Sequence, residues 1–193
     1  MATLYTSTTS PYGRIVLLIA KLYGVDLKVE LVSPLDLPEA LTTINPFSQV
    51  PTLLLDNGDV ITETALIIQA IAPQVYTDNS SYNLPRIAKA LTILFQGVRV
   101  VSLTRFAHHE DRPHPFVQRS CELLGNALPN LPTLQADSQE SGDKILLCAL
   151  AWIGFRLPEV FDTLSDANKH AVATFANTDL MKQTSPEALE LLA

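Results

Sequence analysis

The sequence predicts an α+β N-terminal domain followed by an all-α helical-bundle domain. Two observations lead to this prediction. Up to about residue 75, short segments of strand-like alternation are interleaved with segments of helical periodicity. From residue 85 onwards, the apolar residues recur at helical spacing. The chain has 193 residues, enough for one or two compact domains, and its 47% of apolar residues can fill their cores.

The first domain begins with an expected strand at 3–6, a helix that Gly24 ends, and a half-buried strand at 27–31. After a weakly patterned stretch, strands are expected at 51–55 and 60–61 around a turn at 56–59, followed by a helix over about 63–71. The order strand-helix-strand and then strand-strand-helix is that of thioredoxin-like domains.

The polar stretch 76–84 is interpreted as a linker, which gives expected domains at 1–75 and 85–193. Asn83 is expected to cap the first helix of the second domain, with Pro85 in its first turn. Further helices are expected over 117–128, 143–157, 165–175 and after Ser185. The helix at 143–157 is apolar nearly all round, which indicates burial within a bundle.

The formal net charge of −7 argues against partners that are nucleic acids or anionic membranes. The N-terminal residues do not have the pattern of a signal peptide. The longest uninterrupted apolar run, Ile145 to Ile153, is far shorter than the ~20 residues of a membrane span. We therefore expect a cytoplasmic protein without a nucleic-acid or membrane partner. Cys121 and Cys148 are expected to be reduced core thiols.

Three segments of the first domain stand apart from the hydrophobic pattern. They are Ser10-Pro11-Tyr12-Gly13, the segment 45–53 with the sequence NPFSQVPTL, and the segment 59–67 with the sequence DVITETALI. Together they resemble bacterial cytosolic glutathione transferases, in which the second segment reads N-P-x-x-x-V-P-x-L. Segments 96–98, 112–113 and 149–156 of the second domain are similar to the same family. The resemblance implies the glutathione-transferase fold, a thioredoxin-like domain followed by a helical domain.

The resemblance implies that glutathione is bound as a substrate by Gln49, Val50, Pro51, Glu63 and Thr64. In the family, the Val pairs its backbone with the cysteinyl unit of glutathione, and the Pro after it is cis. Glu63 and Thr64 take the places of the family's Glu-Ser motif. Both are expected in the first turn of a helix, where free N–H groups suit a carboxylate. The Glu63 carboxylate can bind the ammonium of the γ-glutamyl unit.

Ser10 is the first candidate for activating the glutathione thiol. It precedes the helix that begins near Tyr12, and a hydroxyl donor together with a helix N-terminus lowers the pKa of a thiol. Tyr5 and Ser7 are the rival candidates, and Thr9 is a further one. The alternative interpretation is that Ser10 is an N-cap or a loop residue.

Asp143 is expected to be a structural residue that caps the buried helix after it. It matches an Asp of the family, although Glu140 stands where the family has Ser or Thr, so the capping box is incomplete. No metal site is expected. A cluster of histidines and carboxylates, formed by His108, His109, Glu110, Asp111 and His114, lacks an i, i+4 His pair and is interpreted as a loop.

The function that follows is conjugation of glutathione to a small hydrophobic electrophile, with Tyr12 and the helix from Arg86 to His108 lining the electrophile pocket. A homodimer is expected, because dimers predominate in the family. The alternative is a non-catalytic, transferase-like protein-interaction module, since the neutral Gln49 stands where many relatives carry Lys or Arg. A disulfide or dehydroascorbate reductase would need a Cys in place of Ser10. A zeta-type isomerase would need a Ser-Ser-Cys loop, which is absent.

Overall fold

The computed structural model describes residues 1–106 and 114–191. The chain divides into two compact units, one formed by 1–80 together with 177–193 and the other by 81–176. The segment 112–113 and most of the 108–114 cluster lie outside the described residues. The fold class expected from the sequence is confirmed, because the first unit holds a four-stranded mixed sheet and the remainder of the described chain is mainly helical.

The sheet of the first unit has the strand order β2-β1-β3-β4. Its strands are β1 Thr3–Thr6, β2 Lys28–Leu31, β3 Thr52–Leu54 and β4 Val60–Ile61. β1 runs parallel to β2 and antiparallel to β3, with Leu4 opposite Val29 on one side and Leu53 on the other. The helices are α1 Pro11–Leu22, α2 Glu39–Thr42, α3 Thr64–Ile71 and α4 Gln74–Thr77.

Helix α1 lies unusually close to strand β1. A Cβ atom added to Gly13 would lie 1.8 Å from Oγ1 of Thr6, whose side chain is fully buried. Ile15, Leu18 and Ile19 on the same helix are fully buried as well. The glycine therefore permits an approach that any side chain would prevent.

The end of the chain returns to this first unit as α10 Asp179–Lys182 and α11 Pro186–Glu190. Arg14 of α1 holds this segment, since its Nη2 donates to the Met181 carbonyl at 2.8 Å and its Nε to Thr184 Oγ1 at 3.5 Å. Met181 and Thr184 are both buried. The last described residues are thus part of the packing of the first unit.

The second unit contains α5 Ser80–Phe106, α6 Pro115–Ala127, α7 Ser141–Arg156, α8 Pro158–Phe161 and α9 Asp166–Ala176. Short 3₁₀ turns cover Pro34–Asp36 and Leu128–Asn130. The expected domain limits at 75 and 85 stay a prediction. The stretch 76–84 is largely helical, however, because α4 reaches Thr77 and α5 begins at Ser80.

Asn83 does not cap α5, so that expectation is wrong. It lies inside α5, and its side chain instead caps α7: the Gly142 N–H donates to Asn83 Oδ1 at 2.8 Å. A Cβ on Gly142 would come within 2.8–2.9 Å of Asn83 atoms, so the two helices meet there without room for a side chain. Asn83 Nδ2 also donates to Glu140 Oε2 at 3.0 Å.

Asp143 lies in the first turn of α7, where it accepts hydrogen bonds from side chains and not from the backbone. Its Oδ1 receives Arg86 Nε at 2.5 Å, and its Oδ2 receives the hydroxyls of Tyr82 at 2.9 Å and Ser138 at 2.7 Å. The Asp143 side chain is 3% exposed and that of Arg86 16%. Burial lowers the pKa of the neighbouring Lys144, whose ammonium donates to the Ser138 carbonyl.

Helix α5 is long and apolar enough, by length and composition, to cross a membrane, with a mean hydropathy of 1.4 over its best window. Only this helix meets the criterion among residues 1–106 and 114–191. The core helix of a helical bundle passes the same test, and α5 places Asn83 and Arg86 on polar groups of α7. The composition of α5 therefore fits a bundle helix.

Replacing Asp143 by Ala is expected to lower the free energy of unfolding by about 3 kcal/mol, because it leaves the Arg86 guanidinium and two hydroxyls without their acceptor. Urea unfolding measures this change. Asp137→Ala removes the same charge from an exposed position just before α7 and should cost less than about 0.5 kcal/mol. Equal losses in the two variants would contradict the structural role of Asp143.

Candidate functional site

Ser10 is the N-cap of α1. Its Oγ accepts a hydrogen bond from the Gly13 N–H at 3.1 Å, and its own backbone N–H donates to the Ser7 carbonyl at 3.2 Å. The side chain is half-buried. A hydroxyl that accepts in this way keeps its proton available, so Ser10 can cap the helix and donate to a ligand at the same time.

The rival hydroxyl groups are placed less favourably. Side chains alternate along a strand, so Tyr5 lies on the face of the sheet opposite to Thr6. Thr6 is the residue that contacts α1 at Gly13, and Tyr5 therefore points away from the start of that helix. Ser7 is half-buried and Thr9 is exposed in the loop before Ser10.

Tyr12 lies in the first turn of α1, near the start of α3. Its burial, and secondly the nearby Glu63 carboxylate, raise the pKa of Tyr12 from 10.0 to about 12. Its hydroxyl makes no hydrogen bond to residues that the structure describes. Tyr12 is therefore a neutral hydrogen-bond donor throughout the pH range in which a thiol ionises.

The peptide bond between Val50 and Pro51 is cis, as the resemblance of this segment to glutathione transferases predicted. Pro51 is buried, whereas Gln49 is exposed and Val50 is half-buried. Neither the N–H nor the C=O of Val50 is paired within the described ranges. An unpaired backbone edge of this kind binds an extended peptide by strand addition.

Asn45 organises the loop before this edge, a role that the sequence analysis did not assign. Its side chain is buried, donates to the Gln49 carbonyl at 3.3 Å and to Thr52 Oγ1 at 2.9 Å, and accepts from the Phe47 N–H at 3.1 Å. The Thr52 hydroxyl donates to the Gln49 carbonyl at 2.7 Å. The Asn-Pro dipeptide, a turn-forming pair, was the available signal.

Glu63 and Thr64 form the N-terminal end of α3, as expected. The N–H groups of Thr64, Ala65 and Leu66 have no acceptor among the described residues, and neither the Thr64 hydroxyl nor the Glu63 carboxylate makes a hydrogen bond there. Glu63 is exposed and has a φ of 65°, a conformation that costs about 1–3 kcal/mol for a residue other than glycine. Backbone strain of this kind occurs preferentially at functional sites.

The first unit therefore holds seven of the expected site residues: Ser10, Tyr12, Gln49, Val50, Pro51, Glu63 and Thr64. Asp143 belongs to the second unit. The N-terminal end of α3 combines N–H donors, a hydroxyl and a carboxylate, so it can bind a group that carries both a carboxylate and an ammonium. The Val50 edge can bind a peptide unit, and the start of α1 offers two hydroxyl donors.

No group of His, Cys, Asp and Glu side chains that could hold a metal ion exists among residues 1–106 and 114–191. His114 is the only member of the 108–114 cluster within those ranges. Its Nδ1 accepts from the Phe116 N–H at 3.2 Å and so caps α6.

Residues 9–74 match the family model described as "Glutathione S-transferase, N-terminal domain". This range contains all seven site residues of the first unit. Among curated proteins, none matches the sequence.

The fold resembles solved glutathione transferases along nearly the whole chain. A family member from Pseudomonas fluorescens Pf-5 with bound S-(propanoic acid)-glutathione has a TM-score of 0.78 and 20% identity, over 95% of this chain and 98% of the other. The glutathione S-transferase of Methylobacillus flagellatus KT, with glutathione bound, has a TM-score of 0.72 and 20% identity, over 96% and 100%. The trimeric glutathione transferase TDR1 of Leishmania has a TM-score of 0.67 and 21% identity, over 96% of this chain and 46% of the other.

Replacing Glu63 by Gln is expected to lower the pKa of Tyr12, because it removes a carboxylate that disfavours the tyrosinate. Tyrosinate absorbance during an alkaline titration measures this shift. Tyr76, whose pKa burial alone raises to about 12, should not respond, and Tyr76→Phe removes its overlapping absorbance from the titration. An unchanged titration would contradict the placement of Glu63 near Tyr12.

The same groups give the stability a defined pH dependence. The folded protein holds the Tyr12 and Tyr76 protons up to a pKa of about 12, above the ordinary value of 10.0. The unfolded chain therefore loses these protons first, and the free energy of unfolding should fall as pH rises from 10.0 to about 12. Tyr12→Phe should flatten part of this decline.

Proposed function

We propose that this protein conjugates glutathione to small electrophiles, because its residues 9–74 form a glutathione S-transferase N-terminal domain in a chain with the glutathione-transferase fold. The observation that carries the proposal is the N-terminal end of α3. Hydrogen-bond donors that have no acceptor within residues 1–106 and 114–191 and an exposed carboxylate are next to each other in sequence there. The γ-glutamyl end of glutathione, with one carboxylate and one ammonium, is complementary to this arrangement.

In the proposed complex, the N–H groups at the start of α3 and the Thr64 hydroxyl donate to the γ-glutamyl carboxylate. Glu63 accepts from the γ-glutamyl ammonium in a charge-assisted hydrogen bond. The free N–H and C=O of Val50 pair with the cysteinyl unit, with Pro51 holding the chain direction. The exposed Gln49 supplies an amide rather than a charge to the same ligand.

Ser10 is proposed to donate its hydroxyl proton to the glutathione sulfur. The Gly13 N–H already occupies a lone pair of this oxygen, which polarises the hydroxyl and orients its proton away from the helix. A thiolate at this place is further stabilised by the positive end of the α1 dipole. The S–H proton leaves to solvent, and the thiolate then attacks the electrophile to form a C–S bond. In a substitution the bond to the leaving group breaks and that group departs with its electron pair, and in an addition the carbon that receives the electron pair takes a proton from solvent.

Tyr12 is proposed to lie on the electrophile side of the sulfur. Its ring supplies apolar surface, and its hydroxyl, which stays protonated at neutral pH, can donate to an oxygen or halide of the electrophile. A neutral donor suits this place, because a tyrosinate would repel the thiolate.

We further propose a cytoplasmic, detoxifying homodimer. Phe47 is 80% exposed and precedes the Val50 edge on the surface of the first unit, and Leu66 of α3 is 55% exposed. Both belong to the first unit, and large apolar side chains this exposed are available for a contact with another protomer. The molar mass in solution, from light scattering, decides between monomer, dimer and the trimer that one structural relative forms.

Glu63→Ala is expected to weaken glutathione binding by more than about 1 kcal/mol, since it removes the acceptor of a charged hydrogen bond. Isothermal titration calorimetry with glutathione measures the change. Glu39→Ala, which removes a carboxylate from the exposed first turn of α2, is the matched control and should leave the affinity unchanged. Equal affinities of the parent and Glu63→Ala would reject the assignment of α3 to the γ-glutamyl unit.

Ser10→Ala is expected to raise the pKa of the bound thiol and to reduce turnover at neutral pH, with a smaller effect at higher pH where the thiol ionises unaided. It should also cost about 1 kcal/mol of stability, because the cap of α1 is lost. Ser185→Ala is the matched control, since Ser185 Oγ accepts from the Ala188 N–H at 3.2 Å as the cap of α11. It should cost similar stability without moving the pH profile.

A pH profile that Ser10→Ala leaves unchanged would transfer the thiol-activating role to Ser7 or Tyr5. Absence of turnover in the parent protein with glutathione still bound would favour the non-catalytic interaction module. The neutral, exposed Gln49 beside the Val50 edge is the feature that favours this second function.

A further inference from the structure

A cavity of about 590 Å³ lies in the first unit at the C-terminal end of α1. Its apolar walls come from α1 through Leu17 and Ala20, from the chain around β2 through Leu27 and Val29, and from α11 through Leu189. Its volume is within the range of small-molecule sites, roughly 300–1,000 Å³. Lys21 in its wall lies about 16 Å along α1 from Ser10, at 1.5 Å per residue, so the cavity is separate from the proposed glutathione site.

Three polar side chains reach the same cavity. Lys21 brings an ammonium, Asp26 a carboxylate and Gln183 an amide. None of them makes a hydrogen bond or an ion pair with residues 1–106 or 114–191, and Lys21 and Asp26 do not pair with each other. The cavity therefore presents one positive charge, one negative charge and one amide, all available to a ligand.

Contacts within the chain hold the wall formed by the C-terminal segment in place. Arg14 holds the Met181 carbonyl and the Thr184 hydroxyl, and Ser185 caps the helix that carries Leu189. Leu189 is 3% exposed. A preformed wall lowers the ordering cost of binding, which is the main obstacle to small-ligand affinity.

We propose that this cavity binds a zwitterionic aliphatic molecule, an α-amino acid with a branched side chain such as leucine. The ligand carboxylate pairs with Lys21 and its ammonium with Asp26, while the side chain packs on the half-buried Leu27 and Val29. A zwitterion can pair with both of these exposed charged side chains at once, whereas a ligand with one charge can pair with only one of them. The described cavity walls contain no aromatic side chain, so a flat ring would gain no stacking.

The same recognition elements occur in a short peptide, which carries one carboxylate and one ammonium at its ends. A peptide has a further contact available, because β2 is one of the two edge strands of the sheet. Lys28 and Val32 point their N–H groups to β1, so the N–H and C=O of Val29 face outwards. The free amino acid and the peptide therefore form separate arms of the test.

The proposal is tested by amide NMR of the full chain titrated with L-leucine. We expect shifts confined to amides around Gly24, Val25, Leu27, Gln183 and Leu189, and unchanged when glutathione is present in excess. L-leucyl-L-leucine forms the second arm, and additional shifts at Val29 and Leu31 would identify the peptide as the tighter ligand. Absence of shifts at millimolar leucine and dipeptide, or shifts centred on Val50 and Thr64, would overturn the proposal.

Ligand analogues test the charge assignment without altering the protein. 4-Methylpentanoate lacks the ammonium and 3-methylbutylamine lacks the carboxylate, and each should bind at least tenfold more weakly than leucine. Lys21→Met should weaken the binding of leucine at least tenfold but leave the binding of 3-methylbutylamine unchanged. Asp26→Asn should likewise weaken the binding of leucine at least tenfold but leave the binding of 4-methylpentanoate unchanged. Lys182→Met, which removes a positive charge beside the cavity wall, is the matched control and should bind leucine as the parent does.

The result of these titrations does not depend on the proposed conjugation chemistry, because binding is measured from the chemical shifts of amides remote from Ser10 and Glu63. If leucine and both analogues bound with equal affinity, the cavity would recognise only the apolar side chain, and the proposed recognition of a zwitterion would be refuted. A loss of leucine binding in Lys182→Met as large as in Lys21→Met would refute the role of Lys21.

Discussion

The first unit depends on the close contact between α1 and β1 at Gly13. A Cβ there would lie 1.8 Å from Thr6 Oγ1 and 2.9 Å from Thr6 Cβ, so the helix and the strand could not both keep their positions. Because this contact fixes the first turn of α1, it also fixes where the Ser10 cap and the Tyr12 ring lie. The Glu63 carboxylate at the start of α3 acts on this turn and, after burial, is the second cause of the raised pKa of Tyr12.

In the second unit, Gly142 likewise allows two elements to approach more closely than a side chain would permit. There the backbone of α7 approaches Asn83 of α5 so closely that the Asn83 side chain serves as the cap of a helix other than its own. The incomplete capping box at Glu140 is thereby compensated from a distant part of the sequence. Because Asn83 caps α7, the Asp143 carboxylate can accept hydrogen bonds from the side chains of Arg86, Tyr82 and Ser138.

The sequence was sufficient for the elements whose formation is local. β1 at 3–6 and α3 from Thr64 to Ile71 are set by apolar periodicity and by neighbouring turns, and the cis bond before Pro51 was expected from its motif. The start of α5 and the role of Asn83 were missed, because an Asn two residues before a Pro has the same local pattern whether it caps its own helix or another. The loop-organising role of Asn45 and the anchor formed by Arg14 were also missed. Their partners lie 7 and 167 or more residues away and leave no periodic signal.

The return of residues 177–191 to the first unit has a consequence for biosynthesis. The segment from β1 to α4 is synthesised early, yet Arg14 can donate to the Met181 carbonyl and the Thr184 hydroxyl only after residues 177–191 have been made. Until then, the face of α1 that the C-terminal segment covers is open to water, and chaperones can recognise it. Completion of the thioredoxin-like unit therefore depends on synthesis of residues 177–191, so a nascent chain that stalls inside the helical bundle carries a first unit without these contacts.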